Sequence, residues 1–122
     1  MEVKWGRFDG IEAEKKLMYW VLLFVLQPYF EEPLDHWLRE ILTLGCNIGG
    51  DPGWAIEHVR SEDGQVKYKI WADYEMSGIE PDEGVFGDEL FRPAVRNSLI
   101  ALAERYPNKS REARETIARY GL

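Results

Sequence analysis

The feature that most constrains this chain is the run Leu17–Leu26, ten consecutive apolar residues. A membrane-spanning helix needs about 20 such residues. A surface helix carries them on one stripe only. This run therefore predicts an element buried on nearly every side. Glu12 and Glu14 precede it where a helix N-terminus favours acids, and Glu12–Lys16 is a stabilising pair at four-residue spacing. Tyr19 to Val25 is rich in aromatic and β-branched residues, which suits a strand, but the total length favours a helix over 11–27. Pro28 is its expected stop.

A second helix is expected from Pro33 to Leu44. Proline suits a first helical position, and Leu34, Trp37, Leu38, Ile41 and Leu42 recur at three- and four-residue spacing before Gly45. The glycine-rich stretch Gly45–Gly53 reads as a loop. Trp54 to Arg60 and Gln65 to Asp73 are β-rich runs joined through Asp63-Gly64, a strong hairpin signal. On the second strand, alternation puts Val66, Tyr68, Ile70 and Ala72 on one face and Lys67, Lys69, Trp71 and Asp73 on the other; on the first, Trp54, Ile56 and His58 alternate with Ala55, Glu57 and Val59. Two strands alone are marginal in water, so another strand, such as residues 2–8, or packing on helices is required. Asp88 is the expected N-cap of a helix reaching Tyr106, with Phe91, Val95, Ser98, Leu99, Leu102 and Tyr106 as its apolar stripe. After Pro107, Ser110 is expected to cap a last helix, Arg111–Tyr120, closed by Gly121. The expected fold is one α+β domain over residues 1–122: two N-terminal helices, a central hairpin and two C-terminal helices.

The charge of the 122-residue chain is −7, and its placement is uneven. Between Asp73 and Glu89 stand seven acids (Asp73, Glu75, Glu80, Asp82, Glu83, Asp88, Glu89) and no Lys or Arg, whereas acids and bases balance over the rest. An acidic protein without a basic face is a poor partner for nucleic acid or for an anionic membrane. The single cysteine, Cys46, allows no internal disulfide, as in a cytoplasmic protein. The N-terminus lacks the basic and early apolar regions of a signal peptide.

Chemistry-bearing patterns are sparse. His36 has Glu32 and Glu40 four residues away on either side, a face that suits solvent better than a metal because no second cluster completes a site. His58 and Glu57 point to opposite faces of a strand, so they form no acid–base pair. Cys46 lacks a surrounding Cys–His motif, and the glycines at 45–53 fit neither phosphate-binding pattern. No catalytic residue, metal or cofactor is expected. The acidic segment does not follow the EF-hand spacing for calcium. It reads either as a solvated loop or as a recognition surface. Its length, about 14 residues between Asp73 and Asp88, suits a functional loop. So does the interleaving of acids with Trp71, Tyr74, Met76, Ile79, Val85 and Phe86, the composition of an interface hot spot.

Asp51-Pro52-Gly53-Trp54 leading into a strand, and Tyr68-Lys69-Ile70-Trp71-Ala72-Asp73-Tyr74-Glu75, resemble the immunity proteins of bacterial contact-dependent growth inhibition and related polymorphic toxin systems. These proteins share no single fold, and the resemblance extends to the whole profile of a small, acidic, tryptophan-rich chain. It implies a one-to-one inhibitor of a cognate toxin domain, often a basic nuclease, acting without catalysis or cofactor. In that reading Asp73, Glu75, Glu80, Asp82, Glu83, Asp88 and Glu89 supply charge, Trp71, Tyr74 and Phe86 are anchors, and the chain is a monomer. Two alternatives stand beside it. One is a ligand-binding or enzymatic domain with a pocket lined by Trp54, His58, Tyr68 and Trp71. The other is an adaptor or homo-oligomer joined through exposed aromatics.

Overall fold

The computed structural model describes residues 3–27, 32–50 and 53–122. Helix α1 spans Ala13–Leu26. A short α2, His36–Leu38, continues as a wide π-helical turn over Arg39–Thr43. Four strands follow: β1 Ile48–Gly50, β2 Trp54–Arg60, β3 Val66–Ala72 and β4 Glu83–Gly87, with the one-turn helix α3, Tyr74–Ser77, between the last two. Helix α4 covers Asp88–Arg105, and after a 3₁₀ turn at Pro107–Lys109 helix α5 covers Ser110–Tyr120.

The strands form one antiparallel sheet in the order β1-β2-β3-β4. Helices α1 and α4 pack on each other and on one face of the sheet, and α5 packs on α4. This is the α+β class expected, with helices segregated to one face of an antiparallel sheet. The tyrosine and isoleucine alternation explains the sheet's inner face: Ile48, Trp54, Ile56, Tyr68, Ile70, Ala72 and Phe86 are all buried. Opposite them lie Leu17, Leu22, Phe91, Val95 and Leu99 of the two helices. The ring of Tyr68 stacks on Phe91 at 4.0 Å, and Trp37 meets Trp54 edge-on at 6.1 Å. Each such buried side chain contributes about 1.5–3 kcal/mol over its exposed state.

The all-round apolar character of α1 now has a cause. One side meets the sheet, a second meets α4, and Tyr19 and Leu23 lie against the N-terminal segment Val3–Phe8. Of the extra strand expected at residues 2–8, the described residues 3–8 form none: among them the one ladder contact is an isolated bridge between Lys4 and Arg7, and Val3, Trp5 and Phe8 lie against the core.

The hairpin forms as expected, with Arg60 paired to Val66 and Gly64 at φ +81° in the turn. Two expected loops instead contain regular secondary structure. Gly45–Gly53 contains β1, which pairs with β2. The segment between Asp73 and Asp88 is not one long loop but α3 followed by β4. The second helix begins three residues later than expected, at His36, and its last turn is widened: Leu44 N–H donates to the Arg39 carbonyl at 3.2 Å. Gly45, at φ +66°, ends it. Asp88 is the first residue of α4, with Gly87 at the cap position, and Ser110 is the first residue of α5, with Lys109 at the cap position. Pro28, the expected stop of α1, and Asp51-Pro52 lie outside the described residues. Among the described residues no helix is long and apolar enough to cross a membrane.

Candidate protein-binding surface

An antiparallel sheet covered on one side leaves its other side to solvent. Here the register fixes which residues stand there. The three cross-strand rows are Ala55–Trp71–Glu83, Glu57–Lys69–Val85 and Val59–Lys67–Gly87. Three of these side chains are large, apolar and exposed: Trp71 at 38%, Val59 at 37% and Val85 at 58%. Lys69 Nζ lies 2.7 Å from Glu83 Oε1, across the β3–β4 seam. Ala55, Glu57, Lys69, Trp71 and Glu83 line a shallow depression of about 210 Å³.

Beyond the end of β3 the chain turns a corner. Asp73 caps α3 by accepting the Glu75 N–H at 3.0 Å, and Gly78, at φ +68°, ends it. Exposed Tyr74 and Met76 stand on this turn, while Ile79 packs against the core. Tyr74, Glu80, Pro81 and Asp82 then border a wide concavity of about 480 Å³.

The structure divides the seven acids into two groups. Three have local work. Asp73 is a cap, Glu83 is paired with Lys69, and Asp88 Oδ1 accepts the Tyr68 hydroxyl at 2.9 Å. Burial, and then the Asp88 carboxylate, push the Tyr68 phenol well above its ordinary range. The other four, Glu75, Glu80, Asp82 and Glu89, are exposed, and their carboxylates make no hydrogen bond or ion pair among the described residues. Of the expected aromatic anchors, Trp71 and Tyr74 are at the surface. Phe86 is not: even-numbered residues of β4 face the helices, and it is only 8% exposed. Val85, its outward neighbour, takes the place on the open face. Val59, Lys69 and Glu57 also belong to this surface, and the period-two alternation of the hairpin was the signal that places them there.

The remaining candidates are separate from it. His36 sits 3.6 Å from Glu32 Oε2, and no group of three His, Cys, Asp or Glu among the described residues could hold a metal. Cys46 is exposed. His58 meets Tyr68 edge-on at 5.7 Å, and its backbone N–H donates to the Asn47 side-chain Oδ1 at 3.0 Å, just before the start of β1. Trp54 and Tyr68 are filled into the core and Trp71 stands on the opposite face, so these residues do not line one pocket. Comparison of the chain with protein-family models, with curated proteins and with solved structures finds no match in any of the three.

Proposed function

We propose that this chain is a protein-binding inhibitor of the immunity class, neutralising a cognate basic toxin domain by covering it with the acidic α3–β4 corner and the open sheet face. One observation carries the reading. Four exposed carboxylates without a side-chain partner lie in the same stretch of chain, residues 71–89, that exposes Trp71, Tyr74, Met76 and Val85. Concentrated like charge costs self-repulsion and is repaid when a cation arrives. Exposed aromatics beside it supply the contact area of a hot spot. The proposed activity is occupation of a partner's surface in the cytoplasm, one to one, with no bond made or broken and no cofactor.

Because Glu83 is engaged by Lys69, the cleaner test reverses Glu80 and Asp82. If a neighbouring reading frame encodes a toxin with a basic terminal domain, co-expression of the chain should rescue growth. Glu80→Lys/Asp82→Lys should slow association by about tenfold or more, with a smaller change in dissociation. Unchanged protection and unchanged association in the double variant would remove the corner from the interface.

A further inference from the structure

The hydrogen-bond alternation of an antiparallel sheet determines which backbone groups each strand turns outward. Asp73 N–H donates to the Gly53 carbonyl and Ser61 N–H to the Gln65 carbonyl, each at 2.9 Å. Odd-numbered residues of β3 therefore bond to β2. Ala72 N–H donates to the Asp82 carbonyl, also at 2.9 Å, so even-numbered residues of β3 bond to even-numbered residues of β4. The odd residues of β4 are left over. The N–H and C=O groups of Glu83 and Val85 point away from the sheet, and they have no partner among the described residues.

Unpaired edges invite another strand, and proteins commonly blunt them with lysine, proline, a bulge or brevity. At the opposite edge β1 is only three residues long. Strand β4 has five residues, Glu-Gly-Val-Phe-Gly, and contains neither lysine nor proline. Its protection is charge: Glu80, Asp82, Glu83, Asp88 and Glu89 lie in it or beside it. Two copies of this edge would bring those acids together, which disfavours a second copy. The same acids favour a cationic occupant.

We propose that β4 is a docking edge, and that the occupant is an extended segment of a protein partner bearing Lys or Arg, added as a fifth strand. Main-chain bonds to Glu83 and Val85 set its position. The surrounding carboxylates select its charge, a division of labour seen wherever a peptide augments a sheet. This deepens the reading of the acidic corner as an interface and rests on it.

The test uses the intact chain and a nine-residue synthetic peptide alternating Lys with Val. Binding should slow exchange of the Val85 amide by about tenfold or more, the protection expected of a newly formed ladder bond. N-methylating one alternate set of peptide amides should weaken binding about tenfold or more, and N-methylating the other set should not, because only one set faces β4. Val85→Pro should keep the fold, since its N–H is not used by β3, and should lose the peptide. If that variant does not fold, the two N-methylated peptides still decide. Equal binding by both, at the parent's affinity, overturns the edge proposal while leaving the acidic corner in place. Absence of binding by the parent peptide also overturns it, whereas the corner stands or falls on Glu80→Lys/Asp82→Lys. Self-association that protects the Val85 amide without peptide replaces the proposed occupant with a second copy and overturns the proposal.

Discussion

Tyr68 connects the core to the start of α4. Its ring is stacked on Phe91 and its hydroxyl donates to Asp88, so one side chain satisfies both an apolar and a polar neighbour. Removing the hydroxyl with Tyr68→Phe leaves the stacking and frees a partly exposed carboxylate to water. A loss of about 1 kcal/mol is expected, read from urea unfolding at neutral pH. The pH dependence follows from the raised phenol. A group whose folded value lies above its unfolded value stabilises fully below the unfolded value, about pH 10 for tyrosine, and loses that contribution as pH rises toward the folded value. The parent should lose stability above pH 10 more steeply than Tyr68→Phe, so the two unfolding midpoints converge in alkali. Tyr120 is also raised, by burial and then by its bond to Asp35, but it is common to both proteins and cancels in the comparison.

Among the elements, α5 is held from outside the sheet. Asp35, just before α2, accepts from Arg119 Nη1 and from the Tyr120 hydroxyl, both at 2.8 Å. Leu34 N–H donates to Glu112 Oε2 at 2.8 Å, and an Arg92 guanidinium donates to the Tyr120 carbonyl. Asp35→Ala should therefore free the last turn of α5 without disturbing the sheet: amide exchange should quicken severalfold at Ala118–Tyr120 and stay unchanged at Ile56 and Ile70. The elements also show what the sequence could and could not reveal. The hairpin, α4 and the covered α1 were legible because their periodicity comes from residues that bury themselves. Strand β4 was not. Two of its five residues are glycine, which has low strand propensity and no side chain to show alternation. Gly84 is tightly fitted at its position, since a Cβ there would sit 3.2 Å from the Phe86 ring, which would have to give by a few tenths of an ångström. Strand β1 was hidden for the same reason, with two glycines in three residues. The acids were legible as a group, but their division was not. Which carboxylates are spent depends on Tyr68 and Lys69, which are distant in the chain from Asp88 and Glu83.

For the whole molecule, the charge asymmetry and the apolar face should act on different rate constants. Charges at the rim steer encounter, while a desolvated aromatic holds the complex together. Trp71→Ala should lower stability modestly, by about 1–2 kcal/mol, since the residue is 38% exposed and the rest of its surface is covered. It should quicken dissociation from the partner by about thirtyfold, the rate equivalent of a 2 kcal/mol hot spot. Raising salt should slow association of the parent and of Trp71→Ala alike, and should affect Glu80→Lys/Asp82→Lys less. Stopped-flow association and competition dissociation separate the two effects.

The alternation of β3 has an evolutionary consequence. Tyr68, Ile70 and Ala72 are committed to the core, whereas Lys67, Lys69 and Trp71 stand on the open face, as do Glu57 and Val59 of β2 and Val85 of β4. The positions of the proposed interface and the positions that hold the fold are interleaved in the chain, yet they stand on opposite faces of the sheet. Substitutions at the first set can accumulate without trespassing on the second. Such a domain can follow a partner that changes quickly, drifting in specificity while its architecture stays fixed.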